Sequence, residues 1–241
     1  MTEEEKRIRE RIIRRKRQRQ RQLLIRIAIG SLVLLVVLLG LIMVLKNRKT
    51  KSANSGNVHH KNWETTVEQP QIQPDYLPVN PYSRPGDSLE EVNGIVVHYT
   101  GNPMASAKQN RDYFAGLAIS HKTSASSHFV VGLEGEIIQC IPCDEISYAS
   151  NERNKDTISI ECCIEDESGR FNAKTYDALV RLTAWLMGEY DVDVDGVIRH
   201  YDVTGKMCPK YYVEHEDAWT QFKADVLRYI DEYGVIKDDS V

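Results

Sequence analysis

The sequence predicts an α/β domain, a mixed central β-sheet flanked by helices, preceded by one transmembrane helix. Strand-like and helix-like hydrophobic patterns alternate through residues 85–241, as they do where helices cover a sheet. Nineteen consecutive residues, Ile27 to Leu45, carry no charge. Charge is also unevenly divided. The chain of 241 residues holds 31 Lys and Arg against 35 Asp and Glu, net −4, yet residues 1–84 carry net +10 and residues 85–241 net −14. Such asymmetry marks a tail or membrane-associated segment joined to a folded domain and excludes one uniform globule. An apolar content of 41% with 8% aromatic residues excludes wholesale disorder.

Residues 1–26 read as a basic cytoplasmic segment, with eleven Lys and Arg against four Glu. The apolar run 27–45 follows. At about 1.5 Å per residue, a helix of that length reaches roughly 28 Å, the hydrocarbon thickness of a bilayer. A buried helix of a globular protein keeps a polar face, whereas only Ser31 and two glycines interrupt this run. A cleaved signal peptide has a shorter apolar core and a small-residue cleavage site, so an uncleaved, single-pass signal-anchor is the expectation. The basic excess on its N-terminal side predicts a cytoplasmic N-terminus and an extracytoplasmic C-terminal domain at the cell membrane. The Arg-rich leader is expected at the anionic inner leaflet rather than on nucleic acid. Residues 46–84 are polar, and Pro70, Pro74, Pro78, Pro81 and Pro85 crowd their end. Proline opposes helix and central strand, so this stretch reads as an extracytoplasmic linker leading to a domain at 85–241.

Within that domain, Val92–Tyr99 is a short β-branched run and reads as a buried strand; residues 105–118 read as a helix. Ser127–Val131 and Glu136–Ile141 flank Gly132-Leu-Glu-Gly135, the pattern of a hairpin with glycines in its turn. Thr157–Ile164 is a further strand. Tyr176, Leu179, Val180, Thr183, Met187 and Tyr190 recur at helical spacing, Gly196–His200 reads as a strand, and Trp219, Phe222, Val226, Tyr229, Ile230 and Tyr233 form a last helical stripe.

Two histidines end expected strands: His98 in VVHYTGNP and His200 in IRHYDVTGKMCP, with Cys208 eight residues beyond His200. Imidazole and thiolate bind zinc well, and three protein ligands with one open position leave room for a reactive water. Spacing alone leaves open the plainer alternatives, a satisfied histidine and a buried cysteine filling space.

The stretches VVHYTGNP, SSHFVVGLEGEIIQCIP, NKDTISIE and RHYDVTGKMCP, in this order and at these separations, resemble the type 2 N-acetylmuramoyl-L-alanine amidases, relatives of the peptidoglycan recognition proteins. The likeness covers about residues 90–230. It implies the amidase fold, zinc held by His98, His200 and Cys208, and hydrolysis of the amide between N-acetylmuramic acid and the L-alanine of the stem peptide. By the same resemblance Glu161 is the base that takes the water proton, and Lys206 faces the developing oxyanion. Without the resemblance, Glu161 would read as a solvent-facing strand residue and Lys206 as a solvated loop lysine. Thr100 is expected to line the groove or orient a ligand. Some relatives carry a catalytic Tyr where this chain has Ser127, and a Trp-His-Ala stretch where it has Ser147-Tyr148-Ala149. His128 accordingly reads as structural.

Cys140, Cys143, Cys162 and Cys163 remain. Outside a membrane an even number permits disulfides, but Cys162 and Cys163 are adjacent and so point to opposite faces of a strand. Free buried thiols are expected first, one disulfide second. A redox pair Cys140/Cys143 is disfavoured by Asp144 and Glu145, which oppose thiolate formation. The alternative to hydrolysis is a peptidoglycan-binding module without catalysis, which would have no need of Cys208, Glu161 and Lys206 together.

Overall fold

The computed structural model describes residues 65–237. The basic segment 1–26, the expected transmembrane helix 27–45 and residues 46–64 of the expected linker lie outside the described residues. Among the described residues no helix is long and apolar enough to cross a membrane.

A six-stranded sheet organises the domain. Its strands are β2 (Ile72–Pro74), β3 (Gly94–Tyr99), β4 (Phe129–Val131), β5 (Ile137–Gln139), β6 (Thr157–Cys162) and β7 (Val197–Arg199), in spatial order β2-β5-β4-β6-β3-β7. All neighbours are parallel except β4 and β5, the hairpin pair. Gly135 turns that hairpin at φ 82°, a left-handed conformation that glycine adopts without strain. The sheet is therefore mixed, as the alternating pattern predicts. A separate antiparallel pair joins β1 (Thr65–Thr66) to β8 (Val235–Ile236).

Five α-helices and two short 3-10 helices, Asn151–Lys155 and Val194–Gly196, complete the described fold. Helix α1 (Ala107–Ser120) begins in a capping box, Ser106 with Gln109, and ends where His121 turns left-handed at φ 50°. Helix α2 (Ala173–Glu189) is capped by Asn172, whose side chain accepts from the Thr175 N–H. Helices α3 (His200–Thr204) and α4 (Lys210–Glu214) are single short turns, and α5 (Glu216–Tyr233) closes the domain.

Strand alternation divides the sheet into two unlike faces. Ile95, Val97, Phe129, Val131, Ile158 and Ile160 join Leu179, Leu182 and Leu186 of α2 and Phe222, Val226 and Ile230 of α5 in the main core. The opposite face carries Val130, Ile138 and Cys140, which pack with Ala107 and Phe114 of α1. That face is also where the alternation puts Ser159 and Glu161 of β6 and His98 of β3. One helix against two leaves part of it open.

Residues 65–84 differ from the expected linker, because they belong to the fold. Strand β2 pairs with β5, and the N–H groups of Asp75 and Leu77 continue the ladder to the carbonyls of Gln139 and Cys140. Leu77 is fully buried, and Arg84 grips Glu145 with two hydrogen bonds of 2.7 and 2.6 Å. Proline content misleads here for a physical reason: Pro74 sits on an edge strand, where a missing donor costs nothing. Cys140, Cys143, Cys162 and Cys163 are all free thiols, the alternative expected first, although Cys143 is only half-buried.

Truncating Leu77 tests this boundary. Leu77→Ala should lower the unfolding free energy by about 3 kcal/mol, the usual cost of emptying a buried leucine site. Denaturant unfolding of the full chain reads it, and a tether residue would show no change.

Candidate metal centre and active site

The register of two parallel strands builds the centre of the site. β3 pairs with β6 so that His98 stands directly beside Glu161. In-register neighbours project to the same side of a sheet, so both side chains enter the face that α1 leaves partly open. β7 lies on the other side of β3 and delivers His200, which is the first residue of α3 rather than the last of the strand. Asp202 explains that difference: its carboxylate accepts from the Arg199 N–H at 2.8 Å and turns the chain into a helix one residue early. Arg199 is itself held. Its guanidinium donates to Asp202, to Glu216 and to the Tyr212 carbonyl, and it lies near the rings of Tyr201 and Trp219. After α3 the chain bends back, and the Tyr201 N–H donates to the Cys208 carbonyl at 2.9 Å, which brings Cys208 under the histidines.

The three sequence-predicted ligands meet. One donor atom from each of His98, His200 and Cys208 lies within 4.8 Å of the others. His98 Nδ1 is 3.8 Å from Cys208 Sγ, and the imidazoles of His98 and His200 stand edge to face at 4.7 Å between centroids. Two tetrahedral ligands of one zinc ion would lie about 3.6 Å apart, so the spacing suits such an ion. The residues are 1%, 6% and 2% exposed respectively.

Electrostatics agree with a metal-binding group. Burial, then the neighbouring His200 and Lys206, hold His98 well below the usual histidine range, and burial with Lys206 lowers His200. The neutral imidazole, with its free lone pair, is thereby favoured at both. Burial, with the charge of Glu161, pushes the Cys208 thiol up to about 12. A thiol that is costly to ionise in the protein alone is one for which a bound cation would supply the missing charge. Two buried polar atoms at the site also lack any protein partner: Nδ1 of His200 and one carboxylate oxygen, Oε2, of Glu161. Buried polar atoms are nearly always paired, so both fit a site that takes a further ligand. Burial raises Glu161 to about 8, an effect that Lys206 partly offsets.

These residues line a cleft of about 460 Å³ together with Tyr99, Phe114, the segment Thr123–Ser126, Tyr148, Ala149, Asn151, Asn154 and Lys206. Glu161 thus stands on the floor of a cleft, not on a solvated strand face, and Lys206 is an exposed residue at its wall. Thr100 is absent from the lining. Its hydroxyl is buried without a partner, while its N–H donates to the Cys162 carbonyl.

The family model for N-acetylmuramoyl-L-alanine amidase matches residues 88–211, just over half of the chain. The chain belongs to this amidase family. Among its relatives, N-acetylmuramoyl-L-alanine amidase CwlL of Bacillus licheniformis is 36% identical over 166 residues, spanning 63% of this chain and 45% of that protein. N-acetylmuramoyl-L-alanine amidase BlyA of Bacillus subtilis (strain 168) is 32% identical over 169 residues, spanning 61% and 44%. The chain thus spans less than half the length of these two curated relatives. The solved catalytic domain of XlyA superposes with a TM-score of 0.55 at 30% identity, covering 65% of this chain and 99% of that one. The mixed sheet with its flanking helices is therefore the amidase fold.

Other residues in this amidase family member play structural parts. The single Ser127 hydroxyl proton lies between the Phe129 and Ser159 carbonyls, at 2.9 and 3.0 Å from Oγ. Ser147 is turned inward to Ser159 at 2.8 Å, so only Tyr148 and Ala149 of that stretch reach the cleft. His128 is buried as expected: the Ser159 N–H donates to its Nδ1 at 3.0 Å, and its Nε2–H donates to the Glu145 carbonyl at 2.8 Å. Sequence reasoning missed the wall formed by Thr123–Ser126, Asn151 and Asn154. The cluster of Ser, Thr and Asn marks these segments as loops, but nothing local says that they face the histidines.

His128 gives the domain a pH dependence of known sign. Burial pushes its imidazole down to about 4, so between that value and the ordinary 6.5 the unfolded chain binds a proton that the folded chain refuses. The stability this group contributes is present above 6.5 and is lost as pH falls toward 4. Going from pH 7 to pH 5 should cost the unaltered protein on the order of 2 kcal/mol more than His128→Gln, measured by denaturant unfolding at both pH values.

Proposed function

We propose that this chain is a zinc-dependent N-acetylmuramoyl-L-alanine amidase that hydrolyses the amide between N-acetylmuramic acid and the L-alanine of the peptidoglycan stem peptide. One observation carries the reading: in a member of this family, His98, His200 and Cys208 converge beside a carboxylate, Glu161, that is fixed by strand register. His98, His200 and Cys208 would hold the ion. When bound, zinc supplies Lewis-acid chemistry, acidifying water and polarising a carbonyl.

The protein's own groups then have definite tasks. Glu161, whose carboxylate form a neighbouring cation would favour over the buried acid, takes a proton from the attacking water as the new carbon–oxygen bond forms, and returns it to the L-alanine nitrogen as the carbon–nitrogen bond breaks. No net proton is gained or lost by the enzyme. Lys206 offers an ammonium to the carbonyl oxygen while that oxygen carries negative charge. The cleft walls, with Tyr148 and the hydroxyls of Thr123 and Ser124, hold the glycan and peptide on either side of the bond.

Location is a second part of the proposal. The uncharged run 27–45 and the basic residues before it support a single-pass membrane protein with a cytoplasmic N-terminus and the amidase domain outside. A bound membrane would supply nearness to the wall, which residues 85–241, with net −14, would not gain from their charge. Fractionation of cells should place the full chain with membranes, and external protease should reach the domain in wall-stripped cells.

Digestion of purified peptidoglycan by the full chain should release free stem peptides with an N-terminal alanine, read by mass spectrometry. Cys208→Ala should lose zinc and activity together. Glu161→Gln should keep zinc while cleavage falls by about 10² or more, the usual weight of a general base. Binding of peptidoglycan without released peptides would replace this reading with a non-hydrolytic binding module.

A further inference from the structure

The segment that opens the short 3-10 helix before β6, Ser150 and Asn151, touches both candidate histidine ligands at Nε2. Ser150 Oγ is 3.2 Å from His98 Nε2, and Asn151 Oδ1 is 3.2 Å from His200 Nε2. An amide oxygen only accepts, so His200 must carry its proton on Nε2. A neutral imidazole has one N–H, and the lone pair is then on Nδ1, the buried atom without a partner. The same assignment for His98 puts its Nδ1 lone pair toward Cys208 Sγ.

The loop is built to hold this arrangement. Asn154 Oδ1 accepts from the N–H groups of Ala149 and Ser150. Asn151 sits in the left-handed region at φ 53°, a conformation that asparagine tolerates better than most residues. Backbone strain of this kind persists where surrounding bonds over-determine it. Here it aims the Asn151 side chain at His200 from the residue next to the one that reaches His98.

We propose that Ser150 and Asn151 are positioning residues that lock His98 and His200 as Nε2–H tautomers and so leave both Nδ1 lone pairs free for one zinc ion. Outer partners of metal-bound histidines fix tautomer and ring orientation in this way, and their loss costs about 10- to 100-fold in metal affinity. This inference rests on the zinc reading above.

The test uses the full chain, labelled with 15N-histidine and stripped of metal. Long-range proton–nitrogen correlation reads each tautomer, and competition with a chromophoric chelator reads zinc affinity. Nε2–H is expected at both histidines of the unaltered protein. Ser150→Ala and Asn151→Gly should each mix the tautomers of their own histidine and weaken zinc binding about 10-fold. Asn151→Asp keeps the acceptor and tolerates the backbone, and should match or exceed the unaltered affinity. Nδ1–H at either histidine of the unaltered, metal-free protein overturns the proposal, and this measurement needs no variant. So does zinc affinity that is unchanged in both Ser150→Ala and Asn151→Gly. An unaltered protein that takes up no zinc overturns the metal reading itself, and this inference with it.

Discussion

The parallel pairing of β3 with β6 is the constraint on which the site depends. Six consecutive residue pairs, Gly94 with Thr157 through Tyr99 with Cys162, fix the register. A slip by one residue would carry every side chain of one strand to the opposite face. Ile95, Val97, Ile158 and Ile160 would leave the core, so the hydrophobic cost of a slip protects the placement of His98 beside Glu161. Packing on one face thereby guarantees chemical alignment on the other. The same alternation that makes β6 a core strand makes its polar residues, Ser159 and Glu161, members of the polar face.

The second half of the site reaches that face by a different route. His200 and Cys208 are eight residues apart in a segment with little regular structure, and local hydrogen bonds do the work that register does elsewhere. Asp202 starts α3 at His200, Arg199 anchors the junction to α4 and α5, and the Tyr201 N–H draws Cys208 back. Arg199 is 6% exposed and is satisfied by two carboxylates and a carbonyl, so its charge is fully compensated. A lysine there would keep the charge but lose the planar fork that spans three acceptors.

Much of this was legible in the sequence, and the misses have physical causes. The strand runs and helical stripes of residues 92–233 predicted every large element, because burial on one face imposes a period on apolar residues. His98 and His200 were singled out by residue type and strand-end position, Cys208 by its spacing from His200, and resemblance added Glu161 and Lys206. Glu161 alone would have been misread, since alternation says which residues share a face but not whether that face is covered. Residues 65–84 were misread because proline content reports what a segment cannot do inside a sheet and is silent about edges. Ser150 and Asn151 carried no local signal: their importance lies in contacts 52 and 49 residues away in sequence, respectively, which no periodicity encodes.

The edge strand β2 has a meaning beyond the fold boundary. An open sheet ends in rows of unpaired amides that can recruit a strand from another molecule. At one end of this sheet β2 is only three residues long and terminates in Pro74, and at the other end β7 is equally short. Both margins are thus poor templates for strand addition. Copies of such a domain brought together at high local concentration meet the condition under which exposed sheet margins fuse. Pro74, which looks like the mark of a tether, acts instead as the stop at the sheet's margin.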